Sequence, residues 1–331
     1  MARKTSTSPQ NFKTQKRLLV VALSFTLLTP LGAHAAEKNA LKAADGERLK
    51  AIFSDMINRY ENETKARGGS FIKEGEVMVE PSDHYFAITL PHITAIHPDN
   101  TKTKIGMVSI NALPGDKKNE WKMTVALPTP IVMTDAADKE TASLSFGSQN
   151  FAGLFHEDFK NFVRLNGQYK NITYIDKTEN AKITIPDLSL VYDLKEGPQH
   201  LWSGPMTAKA SNITGIFNQT GSTTKIAQMN IESVLKGYSL KEAAAYQERL
   251  SALMESTGTD TPSFSSAHSQ GVYNMFFDYL TKVWDGFDSR LSVTGMEMLT
   301  PAQPGKQASS TKIAQASIAL NGEGFRENKV G

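Results

Sequence analysis

Thr224–Ile231 reads "TKIAQMNI", and near-copies of that phrase stand at Thr103–Ile110, "TKIGMVSI", and Thr311–Ile318, "TKIAQASI". A second phrase precedes each copy: "HITAI" with Thr94, "NITGI" with Thr214 and "SVTGM" with Thr294. Beyond Ile105, Ile226 and Ile313 apolar and polar residues alternate with period two, the pattern of a strand that buries one face. The unit is therefore a strand I/V-T-x-I/M, a polar turn of variable length and a second strand opening on K-I. This predicts antiparallel hairpins with Ile105, Ile226 and Ile313 buried and Lys104, Lys225 and Lys312 facing solvent. A degenerate copy, "NITYIDKTENAKITI", carries Thr173 and Lys182. The spacings between Ile105, Ile183, Ile226 and Ile313 are 78, 43 and 87 residues. Two are about double the third, which fits a repeat unit of roughly 40 residues.

Working outward, "GEVMVE", "HYFAITL", "WKMTVAL", "ASLSF", "AKITIPDLSLVYDL" and "GPMTAKA" also alternate, separated by turn signals such as "HPDN", "LPGDKKN" and "KEGP". One-sided burial of this kind belongs to antiparallel sheets. Helical periodicity occurs in three places. Leu49, Ile52, Phe53, Met56, Ile57 and Tyr60 share a face of a helix expected over 45–67, stopped at Gly68-Gly69. Ser239 and Glu242 form a capping box before an Ala- and Leu-rich run. Residues 267–285 carry the third helix, ended by Gly286. The expected class is α+β: mostly antiparallel β with repeated hairpins, and amphipathic helices packed on the sheet. The expected organisation is a leader over 1–35, a helix plus β-rich domain over 36–238, and a helical pair with a partial second β module over 239–331. That module stops just after its hairpin, as it would in a frameshifted or shortened gene.

The leader has Arg3, Lys4, Lys13, Lys16 and Arg17 with no acid, then the apolar stretch Leu18–Leu28 and the small-residue site Ala33-His34-Ala35. That is the layout of a secretory signal peptide cleaved after Ala35. The apolar run falls short of the ~20 residues needed to span a bilayer, and no later segment is apolar enough. The chain of 331 residues has no cysteine, which removes thiol chemistry, Cys-ligated zinc and disulfide support. An exported, disulfide-free chain fits the periplasm of a Gram-negative cell. The net charge of +2 offers no nucleic-acid footprint. The triplets at Asn62, Asn171, Asn212 and Asn218 match glycosylation acceptors and read as chance in Thr- and Asn-rich strands.

Chemistry-bearing patterns are sparse. The sequence holds no G-x-S-x-G, H-E-x-x-H or Gly-rich phosphate loop, and no cofactor motif. His84, His92 and His97 lie near Asp83 and Asp99, at spacings that match no metal-site type. "FHEDF" sets His156, Glu157 and Asp158 between aromatics and reads as a polar turn. Lys104, Lys225 and Lys312 read as residues that blunt strand edges. Val272, Met275, Phe276, Tyr279, Leu280, Val283 and Trp284 form a single stripe at helical spacing, expected to pack on the sheet as core and otherwise the one candidate face for a hydrophobic ligand or partner.

An exported chain with a helix after its leader and long alternating strands carrying the I-T-x-I hairpin phrase resembles the YdgA-like and AsmA-like families of proteobacterial periplasmic proteins. The likeness spans residues 70–331. AsmA-like proteins are tethered by an uncleaved anchor, from which the Ala33-His34-Ala35 site departs. The resemblance implies envelope maintenance or handling of hydrophobic ligands and carries over no residue role. The expected function is non-enzymatic: an envelope-associated protein that binds or scaffolds lipid or a lipoprotein. The alternative is a hydrolase of cell-wall or lipid substrates with a site assembled from dispersed Asp, Glu and His residues.

Overall fold

A computed structural model describes residues 41–246, 279, 281–304 and 307–326; the leader lies outside them. Strand accounts for 61% and helix for 16% of the structure. The α+β expectation is therefore corrected to a mainly β class. The reason lies in the hairpin phrase: its alternation extends into strands of 13–17 residues, and these outweigh the helical segments.

The first element is α1 (Ala43–Ala66), which buries Leu49, Phe53 and Ile57 one turn apart. It stops where the sequence says it must. Gly68 takes a φ of 75°, and a Cβ on Gly69 would lie 2.4 Å from the Ile96 carbonyl oxygen, so only glycine fits there.

The strands that follow are β1 (Ser70–Glu74), β2 (Met78–Ser82), β3 (Tyr85–Thr89), β4 (His92–Ile96), β5 (Lys102–Gly106), β6 (Ser109–Pro114), β7 (Glu120–Ala126), β8 (Ile131–Thr134), β9 (Glu140–Ser145), β10 (Ser148–His156) and β11 (Asn161–Asp176). One edge of β11 pairs with β10 along its first half and with β9 along its second. From there two arms diverge. One runs β10-β7-β6-β3-β2 and the other β9-β8-β5-β4-β1. Helix α1 touches β1 and β2, the last strand of each arm, so the arms close around it. The enclosed core holds Phe86, Trp121, Phe151, Phe155 and Phe162 with Leu49, Phe53 and Ile57 of the helix. Phe53 stacks on Phe155 at 5.9 Å.

The other edge of β11 begins an open meander: β12 (Ala181–Asp193), the short β13 (Lys195–Glu196), β14 (Trp202–Phe217), β15 (Ser222–Tyr238), β16 (Gly286–Thr300) and β17 (Ser309–Glu323). Pairing runs β11-β12-β14-β15-β16-β17, antiparallel throughout. The strands on either side of residues 239–285 thus belong to one sheet.

All three copies of the phrase, and the degenerate one, are hairpins: β4–β5, β14–β15, β16–β17 and β11–β12. Their registers differ. Thr94 faces Lys104 and Thr214 faces Lys225, whereas Lys312 faces Glu297 and Thr294 faces Gln315. The last copy has slid by three positions, which its longer loop permits. The expected burial of Ile105, Ile226 and Ile313 is also corrected, since all three are half-buried. Ile105 packs against the margin of the enclosed core, whereas Ile226 and Ile313 lie where the inner face is only partly covered.

Candidate functional site

Pairing registers sort the meander into two chemically distinct faces. Thr173, Thr184, Thr214, Lys225, Glu297 and Lys312 stand side by side across the strands. This row points away from the core. Lys312 donates to Glu297 at 2.9 Å, and that hydrogen bond, with Lys225 nearby, holds the Glu297 carboxyl below its usual range. The adjacent row is apolar: Ile172 faces Ile185, Ile213 faces Ile226, and Ile226, Met296 and Ile313 follow in line. Ile172 is buried in the core, so this row continues the core face. The repeated K-I dipeptide builds both rows together. Lys104 and Lys225 lie on interior strands, and Lys104 meets Asp138 at 3.1 Å. Their role is corrected from edge-blunting to cross-strand charge pairing.

A crease crosses β11, β12 and β14–β17. Pairing is interrupted at Asn171, Asn212 and Gly295, whose φ values are 52°, 55° and 61°. Pro186, Ala227 and Ala314 occupy the intervening strands. A left-handed residue flips the alternation, so the inward set changes from Tyr169, Leu188, Ala210, Met229, Val293 and Ala316 on one side of the crease to the isoleucine row on the other. Asparagine tolerates the left-handed region better than other side chains. This is the physical reason for the asparagines of the two "NIT" triplets, Asn171 and Asn212. On the polar face the crease opens a hollow of about 320 Å³ lined by Lys170, Asp187, Ser189, Lys209 and Ser211 among others.

The inner face loses its cover toward β17. Gly167, Leu190, Ala208, Ile231, Leu291 and Ile318 form one continuous row. Ile231 is 40% exposed, Leu291 39% and Ile318 62%. Leu320 on the same strand is also 62% exposed. Apolar rows thus run from a closed core to exposed positions on β15–β17.

At one end this face meets an aromatic cluster. Trp284 lies 6.1 Å from both Tyr279 and Tyr238 and 5.3 Å from Phe287. Tyr279 is 4.4 Å from Tyr246. Burial raises the Tyr238 hydroxyl well above the usual tyrosine range. The Trp284 indole N–H is buried with no hydrogen-bond acceptor among the described residues. Of the predicted stripe, Tyr279 and Trp284 belong to this cluster, and Val283 is fully buried at 1% exposure. Val272, Met275, Phe276 and Leu280 lie outside the described residues. The capping role of Ser239 is present, since its hydroxyl accepts the Glu242 N–H at 3.3 Å. The alternation of the meander strands did signal the inner face, but its exposure had no local signal.

The "FHEDF" segment ends β10 and enters a short 3-10 turn (Glu157–Phe159). Glu157 accepts from Arg48 at 2.8 Å and from the Trp121 indole N–H, tying α1 to β7. His156 is 5% exposed, stacks on Phe159 at 4.3 Å, and meets the Asn119 amide at 3.2 Å. Burial lowers its pKa, partly offset by Asp158 and Glu120. These groups are committed to holding the body together. His97 pairs with Thr103 at 2.9 Å, while His84 and His92 are exposed. Among the described residues no cluster of three or more His, Asp or Glu side chains is arranged to hold a metal, and no helix is long and apolar enough to cross a membrane.

No known protein family, characterised protein or solved structure matches this chain.

Proposed function

We propose that this chain is a non-enzymatic binding or scaffolding protein of the bacterial envelope, and that the inner face of β14–β17 receives the acyl chain of a lipid or lipoprotein. The observation that carries the reading is the unbroken apolar row from Gly167 to Ile318, covered at one end and exposed at the other. An acyl chain needs apolar area without hydrogen-bonding partners, and such a row offers that. The opposite face, with its Thr, Lys and Glu ladder, is suited to water. The basic leader, short apolar run and Ala33-His34-Ala35 support export to the periplasm.

The test is native mass spectrometry of the exported protein, coupled with displacement of a fluorescent fatty acid. The expected result is a bound mass of acyl-lipid size, and probe binding reduced at least tenfold in Ile231→Ser combined with Leu291→Ser. These positions are about two-fifths exposed, so the double variant retains its fold by circular dichroism. A protein that carries no acyl mass and ignores the probe would end this reading.

A further inference from the structure

Strand β17 closes the meander, with β16 on one side and no described strand on the other. Among the described residues nothing pairs with that second side along its 15 residues, so its N–H and C=O groups are a template for another strand. Protective devices are missing from it. The strand contains no proline, and its register with β16 shows no shift. Its one lysine, Lys312, is already answered by Glu297, and Glu323 is tied to Lys236. The described residues after β17, 324–326, turn away from the edge. Phe325 stacks on Phe287 at 5.9 Å, and Arg326 donates to the Lys282 carbonyl at 2.9 Å. Both contacts draw Phe325 and Arg326 back toward β16.

We propose that the open edge of β17 pairs antiparallel with β17 of a second copy of this chain, about a two-fold axis normal to the sheet. The crease selects the register. On β17 the inward-facing residues are Thr311 and Ile313 before Ala314, and Ala316, Ile318 and Leu320 after it, as their partners on β16 require. A two-fold axis places one arm of the strand opposite the other arm. Only one register then keeps the apolar face on the same side along the whole strand: Ile313 beside the partner's Ala316, and Thr311 beside the partner's Ile318. In that register Lys312 meets the partner's Ser317, so no like charges face one another. The apolar rows of the two copies become continuous, and the most exposed aliphatic side chains gain neighbours. This pairing is independent of whether an acyl chain occupies the face.

Sedimentation velocity of the purified full chain should give a species of twice the monomer mass. Ala314→Lys combined with Gln315→Lys clusters four lysines at the axis and should give monomers. Ala314→Glu combined with Gln315→Glu should do the same, and mixing the two variants should restore a dimer, which a misfolded variant could not do. The chain has no cysteine, so mixed Thr311→Cys and Ile318→Cys chains report register directly by forming a disulfide-linked heterodimer on mild oxidation. A monomeric wild type overturns the proposal. So does a dimer indifferent to the lysine pair, or one cross-linked only in another register.

Discussion

The closed body of β1–β11 and the open meander of β12–β17 are built from the same kind of hairpin, yet they hold together differently. In the body, two arms bend around α1, and Trp121, Phe151, Phe155 and Phe162 are almost completely buried. In the meander, apart from the buried Ala181, Trp202 and Ala210, the same alternation leaves inward side chains half-buried or exposed, because among the described residues no second layer extends over them. Cross-strand pairs and main-chain ladders carry the meander; burial carries the body. An identical phrase such as K-I therefore has a local meaning, an outward Lys and an inward Ile, whose energetic weight is set by what lies opposite.

That contrast fails if truncations in the two regions cost the same. Phe155→Ala should destabilise the protein by about 3–5 kcal/mol in a denaturant titration. Arg48→Met removes the 2.8 Å contact to Glu157 and leaves that largely buried carboxylate with Trp121. It should cost about 1–3 kcal/mol, with α1 losing amide-exchange protection before β16 does.

Three changes along the crease sharpen the comparison. Gly295→Ala puts a Cβ 2.8 Å from that of Ala227 at a φ of 61°, and should cost about 1–2 kcal/mol. Asn171→Gly, at the equivalent place on β11, should change the melting temperature little, because glycine accepts the left-handed region at no steric cost. Ile226→Ala should cost about 1 kcal/mol, since only part of the usual burial term of roughly 1.5–3 kcal/mol is lost. A loss equal to that of Phe155→Ala would mean that the inner face is covered in solution.

The smallest effect is in pH. His156 has its pKa lowered by burial, so near pH 6 the unfolded chain holds more protons than the folded one. Stability should fall as pH drops through the ordinary histidine range around 6.5, by at most about 1.4 kcal/mol per pH unit. Melts of wild type and His156→Gln between pH 7.5 and 5.5 should converge at the acid end. Parallel curves would show that His156 does not titrate with unfolding.

Much of this molecule follows from its sequence alone. Period-two alternation gave the strands, "TKIAQMNI" and its copies gave the hairpins, and the spacing of Leu49, Phe53 and Ile57 gave the inward stripe of α1. These are local consequences of backbone geometry, and any chain segment with that pattern shows them. What tertiary structure decided is which hairpins share a closed core. The closure of two arms on one edge of β11, the alignment of Asn171, Asn212 and Gly295 into a single crease, and the three-residue slip of the last hairpin all depend on pairings between distant strands. Pairing register is a relation between segments, so no single stretch of sequence contains it. Exposure follows from register and layering together, and that is why an isoleucine in the same phrase can stand beside a closed core at position 105 and at an open edge at position 313.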